Sequence, residues 1–92
     1  ARSIAEIFLS DIPARINMLK DRLNENDSRR AELQAHSING AAANMAANKL
    51  QEIATRIEKA SKAGNLNVAI TLITELENQF SVLEKEIRRV LL

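Results

Sequence analysis

The sequence has no cysteine, tryptophan or tyrosine, and its 92 residues include only one proline, two glycines and two phenylalanines. Without cysteine, neither a disulfide framework nor a thiolate metal site can form, and a single histidine excludes a two-histidine zinc site. Low aromatic content and few turn-forming residues are atypical of β-sheet proteins. No apolar run reaches the roughly 20 residues of a membrane span. Thirteen basic and 12 acidic residues give a net charge of +1, which disfavours a dedicated nucleic-acid binder.

What remains is an aliphatic, alanine-rich chain whose apolar residues recur at helical spacing from end to end. The periodicity predicts helices over residues 3–9, 12–23, 28–47, 50–63 and 66–90. Ser10 or Asp11 is the predicted cap of the second of these, with Pro13 in its first turn, where proline is tolerated. The connections are predicted at the polar run 24–28, at Asn48, and at Gly64 with Asn65 or Asn67 as the following cap.

Four amphipathic helices with short connections favour an up-down antiparallel four-helix bundle. The additional short helix over residues 3–9 is expected to cover one end of that bundle. We therefore predict an all-α fold, with residues 1–92 forming one domain, since the chain is too short for a second core. A monomer is expected, because such a bundle closes on itself.

The second predicted helix has an unusual outward face. On a helical wheel, His36 lies about 140° from the centre of the apolar stripe. Small or apolar residues share this face with polar ones; its members are Arg29, Glu32, Leu33, Asn39, Gly40, Ala43 and Ala47. Glycine inside a helix costs roughly 1 kcal/mol relative to alanine, so Gly40 calls for a reason. Either a partner approaches the backbone there or a neighbouring helix packs closely against it.

An exposed imidazole of this kind can act as a nucleophile toward phosphorus, giving a phosphoramidate that can pass its phosphoryl group onward. Such a step needs in-line geometry and neutralisation of the charge on the transferring oxygens. The chain has no glycine-rich phosphate loop, no paired carboxylates placed to hold Mg²⁺ and no nucleophile elbow. If His36 is reactive, the metal and the phosphoryl donor must therefore arrive with a partner.

The run from Ala35 to Asn44 resembles the signature of histidine-containing phosphotransfer (HPt) domains, which reads Ala-His, any residue, an apolar residue, Lys, Gly and then small residues. The resemblance covers essentially the whole chain. Further matches are Phe8-Leu9, Asp11 and Pro13 in the amino-terminal helix, and Leu50, Ile57-Glu58 and Ala63-Gly64-Asn65 in the third helix and its turn. The resemblance implies a phosphorelay carrier that binds no ATP and is not an autonomous kinase.

The family resemblance also implies roles for individual residues. His36 is the implied phosphoacceptor, taking a phosphoryl group from the aspartate of one receiver domain and giving it to another. The receiver supplies the Mg²⁺, so the domain itself is expected to bind no cofactor or metal. Gly40 is the implied small residue that admits the receiver's loops. The wheel adds a receiver-docking surface made of Arg29, Glu32, Leu33, Ala43 and Ala47.

One position departs from the family pattern. The family usually has lysine three residues after the histidine, where this chain has Asn39. An amide can donate a hydrogen bond but brings no charge, and charge-assisted hydrogen bonds are roughly twice as strong as neutral ones. We therefore expect a less stabilised phosphohistidine or slower transfer. Arg29, two turns earlier on the same face, is too far away to replace the lysine.

Three other functions are compatible with a histidine on a helical bundle. The dimerisation bundle of a sensor histidine kinase is rejected, because Ser37 follows the histidine where that family has an acidic residue, and no proline occurs after Pro13. A pseudo-carrier that binds receivers without phosphotransfer, and a purely structural bundle, stay open. The chain is expected to be a carboxy-terminal domain excised from a hybrid sensor kinase, and to work in the cytoplasm without direct membrane contact, even where that kinase is membrane-anchored.

Overall fold

The computed structural model describes all 92 residues and is entirely helical, which confirms the predicted fold class. Four α-helices are joined by three short turns; they are α1 (Ile4–Asn24), α2 (Ser28–Asn44), α3 (Asn48–Lys62) and α4 (Leu66–Leu91). Helix α2 contacts α1 on one flank and α3 on the other, and α4 contacts α1 and α3. The four helices together enclose one hydrophobic core.

The predicted separate helix over residues 3–9 is not present, because residues 4–24 form a single helix with Pro13 inside it. An internal proline costs about 3 kcal/mol, since it has no amide hydrogen to donate and its ring crowds the preceding turn. Phe8 and Leu9, which precede the proline, are buried in the core, and the Phe8 ring lies 6.3 Å from that of Phe80 on α4. Packing of this first segment offsets the cost of the proline and keeps the helix continuous.

The start of α1 is fixed by a capping box rather than by the predicted cap at Ser10 or Asp11. The Ser3 hydroxyl accepts a hydrogen bond from the Glu6 amide at 3.1 Å, and the Glu6 carboxylate accepts one from the Ser3 amide at 3.1 Å. The backbone hydrogen bond from Ser3, followed by the one from its hydroxyl, lowers the pKa of the Glu6 carboxyl. Helix α1 therefore begins a full two turns before the position that the sequence indicated.

The same type of turn ends α1, α2 and α3. Asn26, Ala46 and Gly64 each have positive φ, and in each turn the following amide donates to a carbonyl five residues back, the pattern of a Schellman motif. Helix α2 therefore ends at Asn44, three residues before the predicted end at about Ala47. The sequence concealed this boundary because alanine rarely adopts the left-handed conformation that Ala46 has here.

The core contains 22 buried apolar residues drawn from every helix. Helix α2 contributes mainly small ones, namely Ala31, Ala35, Ile38 and Ala42. Small side chains let α2 lie close to its neighbours, so polar residues on its two flanks contact side chains of α1 and of α3. The contacts that Ser37 and His36 make with those helices depend on this proximity.

Candidate functional site

His36 lies on the outer face of α2, between two residues that anchor the helix. Ala35 and Ile38 are both fully buried in the core, and a helical rotation of about 100° per residue turns the intervening His36 outward. Its side chain is 69% exposed. The predicted orientation of His36 away from the core is therefore observed.

The imidazole is oriented by a carboxylate from the neighbouring helix. Nδ1 of His36 lies 3.0 Å from Oε2 of Glu58 on α3, and the Glu58 side chain is only 23% exposed. The other carboxylate oxygen accepts a hydrogen bond from the Asn39 amide nitrogen at 3.4 Å. A carboxylate beside Nδ1 favours the tautomer with its proton on Nδ1, which leaves a lone pair on Nε2. The arrangement thus leaves Nε2 as the ring nitrogen whose lone pair is available to an electrophile.

On the opposite flank of α2, a guanidinium group joins α1 to the backbone next to His36. Nη1 of Arg15 donates to the Ser37 carbonyl at 3.1 Å and also to the Ser37 hydroxyl. Nε of the same side chain lies 2.7 Å from the Asp11 carboxylate. One positive and one negative side chain therefore approach α2 from its two flanks, close to the histidine.

Gly40 is exposed, and a Cβ atom added to it would meet no atom within 4 Å. Nothing in the chain therefore requires glycine at this position, and the hypothesis that Gly40 serves close packing between helices is wrong. The backbone one turn beyond His36 is open to an approaching molecule. A groove between α1 and α2 runs beside it, lined by Ile4, Ile7, Phe8, Asp11, Arg15, Ser37, Gly40, Ala41, Asn44 and Met45.

The other predicted surface residues are distributed unevenly. Leu33 and Ala43 are exposed, and Arg29 forms an ion pair of 3.1 Å with the largely buried Glu32. Ala47 does not belong to this face, because it lies beyond the end of α2 and is only 8% exposed. The helical wheel extended α2 by three residues and so placed Ala47 outward, whereas the turn at Ala46 directs it into the core.

The chain matches the family model described as Hpt domain over residues 3–86. It belongs to the HPt domain family. No curated protein and no solved structure matched the chain. HPt domains take part in phosphotransfer within two-component phosphorelays, in which they interact with receiver domains. No helix of this HPt domain is both long enough and apolar enough to cross a membrane.

Glu58 and Arg15 contact His36 and Ser37, respectively, and neither was predicted as a site residue from the sequence. Glu58 entered only as part of the family resemblance, and Arg15 was not singled out. A signal for Glu58 existed: it and His36 each lie eleven residues from Ala47, at the turn that joins α2 to α3. Once that turn is placed, the equal distances put the two side chains at one level. No comparable signal identifies Arg15, because its contact depends on the packing of α1.

Proposed function

We propose that this HPt domain accepts a phosphoryl group on Nε2 of His36 from the aspartyl phosphate of one receiver domain and passes it to another. The observation that carries the proposal is the hydrogen bond between Nδ1 of His36 and Glu58, which leaves an exposed Nε2 beside the open backbone of Gly40. Of the residues predicted from sequence, His36, Asn39 and Gly40 form the reactive centre in this proposal.

The proposed step conserves atoms and charge. The Nε2 lone pair attacks phosphorus, the bond between phosphorus and the aspartyl oxygen breaks, and the aspartate leaves as a carboxylate with the bonding electrons. The ring then carries the positive charge of an imidazolium, whose Nδ1 proton is shared with the Glu58 carboxylate. This stabilisation resembles the role of the acid that orients histidine in a catalytic triad. The reverse reaction delivers the phosphoryl group to the aspartate of the next receiver.

The receiver is expected to supply the Mg²⁺ and the reacting aspartate. This HPt domain contains no group of three or more His, Cys, Asp or Glu side chains that could hold a metal ion. The proposed docking surface surrounds the reactive centre: exposed Leu33 lies one turn before His36, and exposed Ile7 borders the groove beyond Gly40. Arg29, Glu32 and Ala43 extend it, while buried Ala47 is omitted.

Asn39 motivates a pseudo-carrier as the second candidate. Its amide donates to Glu58 and so helps to hold the carboxylate against His36. An intact histidine–carboxylate pair favours an active carrier over a domain that only binds receivers. A purely structural bundle is disfavoured because it gives no reason for glycine at an open helical position beside that pair.

The proposed assembly is a monomer consisting of one domain. Contacts between helices support opposite chain directions, because residue numbers rise along α1 while they fall along its partner. For α1 and α2, Ile7 shares a groove with Met45, and Arg15 contacts Ser37. For α1 and α4, Phe8 packs on Phe80, and Lys20 pairs with Glu77. These pairs support an up-down antiparallel order that closes the core without a second copy. We expect it to act in the cytoplasm and to bind no nucleic acid.

The test is transfer of radiolabel from a phosphorylated receiver to this domain. We expect an acid-labile, alkali-stable label on the wild-type domain and none on His36→Gln, with both proteins equally helical by circular dichroism. Binding of the receiver without label would instead support the pseudo-carrier. The absence of both binding and label, across several receivers, would contradict the proposed function.

A further inference from the structure

The position of Glu58 determines on which side of α2 a phosphoryl group on His36 will lie. In an imidazole ring, Nδ1 and Cδ2 flank Cγ on opposite sides, and Nε2 is bonded to Cδ2. Since Nδ1 of His36 is turned toward Glu58 on α3, the edge that carries Nε2 is turned away from α3. Helix α1 lies on that other flank of α2. A phosphoryl group on Nε2 would therefore point outward from α2, away from the Glu58 carboxylate and on the side nearer to α1.

Arg15 is the cation that α1 places on that side. Around the α2 axis, Ser37 and Asn39 lie about 100° and 60° from His36 in opposite directions, so Ser37 marks the α1 flank and Asn39 the α3 flank. The Arg15 guanidinium is held at Ser37 through Nη1 and at Asp11 through Nε, whereas its Nη2 donates no hydrogen bond in the structure. A third of the side chain is exposed to solvent, at 33%.

We propose that Arg15 binds the phosphoryl group on His36 and supplies the positive charge that Asn39 lacks. The inference rests on the proposed function, since it concerns the phosphorylated form of the same histidine. Gly40, one turn beyond His36, lines the same groove as Arg15, so no side chain at this position obstructs the approach of the guanidinium to the phosphoryl oxygens. Guanidinium groups suit this role because their N–H groups match the geometry of phosphate oxygens.

Arg29 on α2 and Arg56 on α3 are less well placed than Arg15. Arg29 lies seven residues before His36, about 10 Å along the helix axis, and is paired with Glu32. On α3, Arg56 is paired with Glu75 of α4, on the flank that faces away from α2. Arg15 differs from Arg29 in its position along the bundle axis, and from Arg56 in facing the flank of α2 to which Nε2 is turned.

The experiment uses phosphoramidate as a chemical donor, so that it does not depend on any receiver. Nε2 attacks the phosphorus of phosphoramidate, the P–N bond breaks and ammonia leaves. The pH titration of the phosphohistidine ³¹P resonance then reports the last ionisation of the phosphoryl group, whose dianion a nearby cation favours. In Arg15→Gln, we expect the midpoint of the titration to rise by about 0.2 to 0.7 pH units, the range that an exposed charge pair produces. In Arg15→Lys, which keeps the positive charge, the midpoint should return most of the way to the wild-type value.

Arg29→Gln is the matched control, because it removes the same charge from the same face. An unchanged midpoint in Arg15→Gln, or an equal rise in Arg29→Gln, would overturn the inference. If Arg15→Gln loses its fold, Arg15→Met, which keeps the aliphatic stem and removes the charge, takes its place and must show the same rise in the midpoint. A His36 that phosphoramidate cannot modify would contradict an accessible Nε2 and overturn the inference as well. If the midpoint depends on Arg15 but receivers transfer no label to the domain, the inference stands and only the proposed function is contradicted.

Discussion

At the scale of single residues, the site is an imidazole whose two nitrogen atoms have different surroundings. Nδ1 of His36 lies 3.0 Å from the Glu58 carboxylate, while Nε2 belongs to the ring edge turned away from that carboxylate. On the α1 flank, Arg15 is hydrogen-bonded to the neighbouring Ser37. The sequence predicted His36 on an exposed face because its spacing from Ala35 and Ile38 requires it. The carboxylate and the guanidinium come from other helices, and one-helix periodicity cannot reveal contacts between helices.

Replacing Glu58 tests whether the carboxylate orients the imidazole. In Glu58→Ala, we expect the neutral ring to lose its preference for the Nδ1–H tautomer and the transfer rate to fall about 10- to 100-fold, as when the outer partner of a metal-bound histidine is removed. Nitrogen-15 NMR of His36 measures the tautomer, and single-turnover transfer measures the rate. Glu52→Gln, an exposed position on α3, should change neither. An unaltered tautomer in Glu58→Ala would show that the contact does not orient the ring.

Replacing Gly40 separates folding from docking. Gly40→Ala should stabilise the domain by about 1 kcal/mol, because alanine favours helix and its Cβ meets no atom. Gly40→Leu should fold as well as wild type but slow transfer about tenfold, equivalent to roughly 1.4 kcal/mol of lost docking. Urea unfolding and transfer kinetics measure the two effects.

Ala14→Leu adds the same leucine at an exposed position of α1 outside the groove, so transfer should be unaffected in this control. A loss of stability in Gly40→Ala would refute the open backbone, and normal transfer by Gly40→Leu would show that no partner approaches there.

At the scale of helices and turns, the sequence predicted the number of long helices better than their ends. Polar residues around Asn26 and the glycine at 64 marked two turns correctly, since both residue types tolerate positive φ. The turn at Ala46 was misplaced because nothing in an alanine-rich run distinguishes a left-handed alanine from a helical one. Pro13 led to the opposite error. Its free-energy cost inside a helix predicted a helix boundary, whereas the burial of Phe8 and Leu9 keeps α1 continuous across it.

Ala46→Gly tests the strain at the middle turn. Glycine removes the penalty that alanine incurs in the left-handed conformation, so the variant should be more stable by about 0.5 to 1 kcal/mol. That gain corresponds to a rise in melting temperature of a few degrees for a domain of this size. Ala14→Gly, inside α1, should lower stability by a similar amount. Equal losses in both variants would show that Ala46 is not strained.

The capping box of α1 predicts one contribution to acid sensitivity. Folding lowers the pKa of the Glu6 carboxyl, chiefly through the backbone hydrogen bond from Ser3. The ionised carboxylate therefore stabilises the folded chain above the pKa that it has when unfolded, and this contribution is lost as pH falls through the folded value. Thermal unfolding of Glu6→Gln across the acid range should show a weaker loss of stability than wild type, whereas Glu52→Gln should not. If the melting temperatures of Glu6→Gln and wild type fall equally with pH, the carboxylate of Glu6 does not contribute to acid sensitivity.

At the scale of the whole molecule, the all-helical fold follows directly from composition and periodicity. The pairing of helices is less visible in the sequence, because the same apolar stripes can meet in several arrangements and only packing selects one. It is this pairing that sets α2 between α1 and α3 and brings Glu58 to His36 and Arg15 to the adjacent Ser37. The proposed function is thus a property of the assembled helices rather than of the histidine motif alone.

The most direct measurement is the identity of the phosphorylated nitrogen. The ¹⁵N-labelled domain is phosphorylated by a receiver, and the coupling between phosphorus and the ring nitrogens of His36 is recorded by NMR. The account predicts phosphorus on Nε2, with the remaining proton on Nδ1 facing Glu58. Phosphorus on Nδ1, or on any residue other than His36, would contradict it.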